Sequence, residues 1–175
     1  MNWTDIRPAL KTLIESLSGL VTVWEDEPRP FTPPDAQAIC LLQTIGIGGQ
    51  GRDECRTIQD LTQPKGQEMS DEWRGNRRFR LTVKVESLIQ TDAGFAYEYL
   101  ERVRDKLPRE STRRSLHAVN CAVEQIEQTQ DLTGALDDRN RSIAALDIMM
   151  AARNVVLDDE RYPYIESADI IGTLQ

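Results

Sequence analysis

The first candidate for chemistry is a glycine cluster. Residues 46–51 read G-I-G-G-Q-G, which matches G-x-G-x-x-G, and they follow an apolar segment. In a dinucleotide-binding fold this spacing lets backbone N–H groups at a helix N-terminus approach a pyrophosphate. The next residues, Arg52 to Ile58, lack the apolar period of a helix. Because the confirming helix is not predicted, we interpret the cluster as a mobile hairpin tip.

Three short acidic groups are candidates for cation binding. They are Glu25–Glu27, Asp137–Asp138 and Asp158–Glu160. Calcium loops place oxygen ligands at alternating positions around a required glycine. None of the three groups has that spacing, so we interpret them as solvated turns and predict no metal or other cofactor.

Nucleophilic chemistry has few candidate residues. The three cysteines, Cys40, Cys55 and Cys121, are far apart and form no C-x-x-C motif. We expect reduced thiols that behave as small apolar residues. His117 is the only histidine and would have to serve any nucleophile pair alone. This scarcity argues against a hydrolase.

A basic stretch precedes and enters a strand with clear alternation. It comprises Arg74, Arg77, Arg78, Arg80 and Lys84. Such a stretch is either a contact for nucleic acid or an acidic partner, or the polar face of a half-exposed strand. Because the chain has a net charge of -8, we favour the polar face.

Asp147 is unusual because it lies in a segment of small and apolar residues. A charge on a strand needs a partner, such as Arg141 or Arg153, or else a wet or subunit-facing surface. A charge on a strand also discourages wrong edge pairing. We expect the face that carries Asp147 and Arg153 to meet a neighbouring subunit.

Length and composition limit the possible classes of protein. A chain of 175 residues is predicted to form a single domain, 1–175, and 39% hydrophobic residues suffice for one modest core. The acidic balance argues against duplex DNA as the main ligand. No apolar run approaches the ~18 residues of a membrane span. MNWTDIRPAL does not resemble a secretory signal, so we expect a soluble protein made in a cytosol.

The elements follow from periodicity. A helix is predicted over Asn2–Leu17, capped by Asn2 or Thr4 and ended at Gly19, with Pro8 near its start. Next comes a short strand over Leu20–Trp24, and then a flexible proline-rich segment over 25–34.

Further along, Gln37–Ile45 is predicted to be a strand covered on both sides, and 46–76 a long polar loop with a β-like stretch near Cys55–Leu61. A second helix is predicted to be capped by Thr91 and Asp92, to end before Pro108, and to bury Phe95. The remaining predictions are strands at Arg77–Leu88, 119–128, Arg141–Leu157 and Tyr164–Ile171, and a helical turn at 109–116.

This order lacks regular βαβ alternation. It favours the α+β class, with a mostly antiparallel sheet and the helices packed on one face.

Four segments carry a family resemblance. The first is the N-terminal helix that runs into Val21–Glu25, then Pro28-Arg29-Pro30 and an apolar strand. The second is the alternating strand Arg78–Val85, followed by the helix containing Asp92 and Leu100. The third is Asp131–Thr133 ahead of Arg141–Ile148, and the fourth is Tyr164–Ala168. In this order they resemble the tail terminator (neck terminator, tail completion) proteins of long-tailed bacteriophages. The likeness covers most of the chain, but 46–76 departs from it and 119–128 matches only in pattern.

The resemblance implies a structural virion protein and not an enzyme, located in the tail or neck and assembled in the host cytoplasm. Family members form a ring, commonly a hexamer, that caps the tail tube and ends its polymerisation. The ring then docks to the head completion or connector protein, and DNA passes through its lumen without sequence-specific binding. The candidate subunit or partner contacts are Pro28, Arg29, Pro30, Arg78, Arg80, Lys84, Asp147 and Arg153. The segments 25–34 and 46–76 are candidate partner-contacting segments.

Two alternatives remain open. Another neck component, such as a head completion or connector protein, would share the lack of chemistry. A nucleotide-binding enzyme using the glycine loop 46–51 is less favoured, because the required helix is not predicted.

Overall fold

A computed structural model describes residues 3–28, 38–88, 95–133 and 141–162. Within these ranges the chain forms three helices and six strands. The helices are α1 (Trp3–Ser18), α2 (Ala96–Lys106) and α3 (Glu110–Ala118). The strands are β1 (Thr22–Trp24), β2 (Ala38–Gln59), β3 (Met69–Leu88), β4 (Cys121–Ile126), β5 (Gln130–Asp131) and β6 (Arg141–Tyr162).

One sheet organises the molecule. Its strand order is β1-β2-β3-β6-β4, and β5 pairs separately with β6. The β1–β2 pair is parallel, and the other pairs are antiparallel. The predicted α+β class with a mostly antiparallel sheet is confirmed. None of the described helices is both long and apolar enough to cross a membrane.

The core lies between the helices and one face of this sheet. Phe79, Leu81, Val83 and Val85 alternate along β3 and are buried, because alternate side chains of a strand share a face. They pack with the apolar stripes of α1 and α2 and with the even-numbered positions 144–152 of β6. The prediction that the helices pack on one face is confirmed.

The strand that was expected to be covered on both sides is buried on both faces. Cys40 and Leu42 face the helices, whereas Ile39 and Leu41 form a second small cluster with Val23. We name the sheet surface opposite the helices the open face; this small cluster lies at its β1 end.

The first helix forms as predicted, with Ile6, Leu10, Ile14 and Leu17 buried. Of its two predicted caps, Asn2 lies outside the described residues. Thr4 lies inside α1 and is not its cap, and Pro8 lies in the helix interior, where it cannot donate a hydrogen bond to the Thr4 carbonyl. Gly19 ends the helix with φ of +75°, a conformation that glycine adopts without steric cost.

The second helix begins later than predicted. Its N-cap is Phe95, so the capping role expected for Thr91 and Asp92, which lie outside the described residues, is wrong. Ser142 on β6 accepts the Ala96 N–H through its hydroxyl at 3.2 Å. Phe95 is 57% exposed and does not belong to the buried stripe. The sequence pattern did not predict the contact at this helix start, because the Ser142 hydroxyl comes from a strand that is distant in sequence.

The largest correction concerns 46–76. It is not a loop with a hairpin tip at the glycines: β2 pairs with β3 as far as Gln59–Met69, and the turn lies at 60–68. The glycines lie at irregularities in β2, where the register shifts between Ile45 and Gly48 and between Gln50 and Glu54. Gly46 and Gly51 have φ of +66° and +76°, as the first residue of a glycine bulge requires.

The remaining predicted elements agree in kind. The turn predicted at 109–116 is α3, and β4 and β6 lie where strands were expected, with β6 extending to Tyr162. Asn120 joins α3 to β4 with a left-handed φ of 57°, and its carbonyl accepts the Arg153 N–H at 2.9 Å. The predicted strand Tyr164–Ile171 lies outside the described residues.

Candidate functional site: an open sheet face and a β-arm

The structure places most of the predicted contact residues on the open face. Arg78, Arg80, Lys84, Asp147 and Arg153 alternate with buried positions of β3 and β6. Pro28 is exposed at the end of a described segment, and Arg29 and Pro30 lie outside the described residues. Two distant stretches of sequence are thus brought onto one surface by antiparallel pairing.

The cations of the basic stretch all have acidic partners. On the open face, Arg78 meets Glu124 at 2.5 Å and Lys84 meets Glu86 at 2.9 Å. Arg74 meets Glu72 through two bonds of 2.7 Å. Since each positive group is matched within the chain, this strand face offers paired charges and not a positive surface for phosphates.

Asp147 has its partners across the strand, contrary to the expectation of Arg141 or Arg153. The Thr82 hydroxyl donates to its carboxylate at 2.6 Å, and Arg80 lies 3.7 Å away. Arg141 instead approaches Glu86 at 3.9 Å. Arg153 lies six residues along β6, roughly 20 Å at the usual rise of a strand. The contact of Asp147 with a neighbouring subunit stays a prediction.

Beyond the core, three strands continue together as a ribbon that we name the β-arm: 46–59 of β2, 69–78 of β3 and 153–162 of β6, with the turn 60–68. The helix-side core ends at Phe79, Met150 and Ala152. The ten arm residues of β3 span roughly 33 Å. None of the three described helices contributes to a buried cluster on this ribbon.

Arg77 marks the transition from core to arm. It follows the phase of Phe79 and so lies on the helix side, not on the polar face predicted for the basic stretch. Its guanidinium donates two bonds, of 2.7 and 2.6 Å, to Asp53 in the second bulge. A Cβ on Gly75 would lie 1.9 Å from the Asp53 Oδ1. The ion pair therefore occupies the space above Gly75.

The β-arm exposes large apolar side chains. Cys55, Trp73 and Val156 are opposite one another on three strands and form a row on the helix side of the arm. Trp73 is 46% and Val156 50% exposed. Leu157, on the other side, is 56% exposed. An apolar row on a ribbon without helices is typical of an interaction surface.

A partner contact was expected within 46–76, but this row was not predicted. Trp73 keeps the odd-number phase of Phe79 and Leu81, and that signal was available. It was hidden because the glycines and polar residues of 46–76 were interpreted as a loop.

The outer end of the arm, residues 57–71 and 157–162, is acidic. Its carboxylates are Asp60, Glu68, Asp71, Asp158, Asp159 and Glu160, and its cations are Lys65 and Arg161. The resulting net charge of -4 is half of the chain's -8. The neighbouring ion pairs Asp53–Arg77 and Glu72–Arg74 leave this imbalance unchanged.

A shallow groove of about 390 Å³ lies between α3 and β4. Its polar lining includes Arg113 and His117. Its apolar lining comes from the end of α2, from α3 and from β4, and comprises Leu107, Pro108, Leu116, Ala122, Val123 and Ile126. Among the described strands, β4 pairs only with β6. The groove therefore runs beside an edge strand, the kind of position where an added chain can pair.

The thiols differ in environment. Burial raises the pKa of Cys40 to about 12 and that of Cys121 to about 11. These two residues behave as apolar core residues, as predicted. The prediction is wrong for Cys55, which is exposed on the arm.

The acidic groups form no metal cluster within the described part of the chain. In the first group, Asp26 binds Arg7 at 2.8 and 2.5 Å, and Glu27 binds Lys11 at 2.7 Å. These contacts lower the pKa of both carboxyl groups. The interpretation of this group as a plain solvated turn is therefore incomplete, since two of its members attach the turn to α1. Asp137 and Asp138 lie outside the described residues.

No protein-family model matches the chain, and no curated protein matches it.

Proposed function

We propose that this chain is a self-associating structural protein of a long-tailed bacteriophage. In this proposal it forms a ring, commonly a hexamer in the family it resembles, on the end of the tail tube. The ring stops tube polymerisation and presents the docking surface for the head completion or connector protein. The single observation that carries the self-association is the β-arm, with its exposed row of Cys55, Trp73 and Val156.

The arm supports assembly for a physical reason. About 25 cal/mol is gained for each Å² of apolar surface removed from water, so exposed Trp73, Val156 and Leu157 gain from a partner. The paired charges of the open face suit a surface that contacts protein or lies near DNA without holding it. Strong DNA binding would need unpaired cations facing phosphates.

Light scattering after size-exclusion chromatography tests the proposal. We expect a concentration-dependent oligomer, alone or on addition of tail tube protein. A strict monomer under both conditions would contradict the ring. A phage lacking the gene is expected to make abnormally long tails, and immunogold labelling is expected to mark the tail or neck of the particles.

A different neck component is the second candidate, supported by the same arm. Full-length tails that fail to join heads in the null mutant would favour that role over a terminator. A nucleotide-binding enzyme is less supported, since residues 46–51 form bulged strand and present no helix N-terminus. A rise in the melting temperature on addition of nucleotides would support that enzyme. A ligand at a hundred times its Kd raises the free energy of unfolding by about 2.7 kcal/mol.

A further inference from the structure

We infer that the β-arm of one copy docks into the groove between α3 and β4 of a second copy. This inference rests on the proposed self-association and names the two surfaces that form the contact. One surface is the arm row of Trp73 and Val156 with the acidic outer end. The other is the groove lined by Leu107, Leu116, Val123 and Ile126.

The two surfaces are complementary in polarity. The row presents an indole and a branched aliphatic side chain, and apolar side chains line part of the groove beside Arg113 and His117. Aromatic anchors that fill such depressions supply much of the affinity of protein interfaces. Glu124, which also lines the groove, is already held by Arg78, so it does not oppose an acidic arm as a free charge.

The two surfaces are also complementary in charge. The outer end of the arm carries -4. The segment 109–118 carries Arg109, Arg113 and Arg114 against one carboxylate, Glu110. Arg114 pairs with Glu110 at 3.1 Å, and Arg109 and Arg113 have no acidic partner among the described residues. Opposite potentials on two surfaces steer association and fix its orientation.

The contact has to be intermolecular. The groove lies at the base of the arm, because β4 pairs with β6 at Cys121–Ala152. Along β6 from that point, Val156 of the row lies four residues away, about 13 Å, and the outer end lies ten residues away, about 33 Å. Both are on a ribbon continuous with the sheet, so neither can fold back into the groove beside β4. An arm therefore reaches the groove of a neighbour and not its own. Two different surfaces in contact make a heterologous interface, which generates a ring when the rotation closes.

Complementation between variants tests this docking. The arm variant is Trp73→Ala, with Val156→Ser as a second version, and the groove variant is Arg113→Glu. All three positions are exposed, so the fold is expected to persist, and circular dichroism and thermal melting check this. The matched controls are Phe95→Ala, an exposed aromatic elsewhere, and Arg102→Glu, a charge reversal on α2.

We expect each arm or groove variant to assemble at least tenfold more weakly than wild type in analytical ultracentrifugation, and each control to assemble normally. An equimolar mixture of Trp73→Ala and Arg113→Glu is expected to give a one-to-one dimer that does not grow, because only one intact contact remains. If wild type forms rings and the arm and groove variants assemble equally well, the docking is wrong and the ring proposal survives. If wild type stays monomeric even with tail tube protein, both fail.

Discussion

At the scale of single residues, one ion pair and one glycine depend on each other: Asp53 with Arg77, and Gly75 beneath them. The bulge that carries Asp53 brings its carboxylate across to Arg77, and only glycine leaves room beneath that pair. The hydrogen bonds from Arg77 lower the pKa of Asp53 below its ordinary value of 3.8. The bond therefore favours the ionised carboxylate of the folded chain.

The Asp53 pair predicts a pH dependence of stability. A carboxyl whose pKa is lowered on folding stabilises the protein fully above its unfolded pKa and loses that effect as the pH falls through the folded pKa. Asp53→Asn is thus expected to lower the urea midpoint at pH about 7, with the gap to wild type closing below about pH 3.8. Asp105→Asn, at an exposed α2 position, is the control. A gap that is unchanged at acid pH would contradict the pair.

Gly75→Ala predicts a coupled effect at the same place. The added Cβ would displace Asp53 and Arg77, which are ends of flexible side chains, so the fold is expected to survive with the ion pair broken. Thermal melting should show a lower Tm in the wild-type background and a much smaller change in Asp53→Asn. Equal costs in both backgrounds would show that the glycine serves the backbone instead.

The cysteines predict selective modification. The thiolate is the reactive form, and the raised pKa values of Cys40 and Cys121 suppress it, as does their burial. We expect one fast equivalent of maleimide per native monomer at pH 7, from Cys55, and three in denaturant. Cys55→Ser should abolish the fast phase. Fast labelling of that variant would contradict the burial of the other two.

At the scale of elements, the three long strands each serve two environments. β3 is buried on its helix side from Phe79 to Val85, but Trp73 on the same side is exposed. The alternation of Arg78–Val85 was sufficient to predict the buried half. The outer half escaped prediction because glycines, which usually mark turns, here accommodate bulges in a continuous strand.

A pair of substitutions on β3 separates the two environments. Leu81→Ala removes a core side chain and is expected to lower the free energy of unfolding by about 2–5 kcal/mol. Trp73→Ala, on the same face of the same strand, is expected to change it by less than about 0.5 kcal/mol. Urea unfolding measures both. Comparable losses would mean that the arm is part of the cooperative core.

The candidate site was predictable in part, also at this scale. Arg78, Arg80 and Lys84 were expected on one strand face, since period two places them there. The partners of Arg78 and Arg80 were not predictable, because Glu124 and Asp147 come from β4 and β6 through a strand register that no local pattern specifies. The Trp73 row likewise depends on pairing of three distant stretches.

At the scale of the whole molecule, a helix-covered body and an uncovered arm share one sheet. Replacing residues 55–73 by Asn-Gly would join Glu54 to Arg74, which already face each other, through a two-residue turn. We expect this shortened chain to keep its helical signal and to melt cooperatively. It should remain monomeric where wild type assembles. Loss of the cooperative melt would show that the body needs the arm.

The separation of the body from the arm affects how the sequence of such a chain can evolve. The positions that keep the polypeptide folded and those available to choose a neighbour are different stretches of the same three strands. Mutations in the outer stretch can therefore change which protein the arm binds without lowering the stability of the body. Exchanging only that stretch between related chains would transfer the binding specificity while the rest of the fold stays the same.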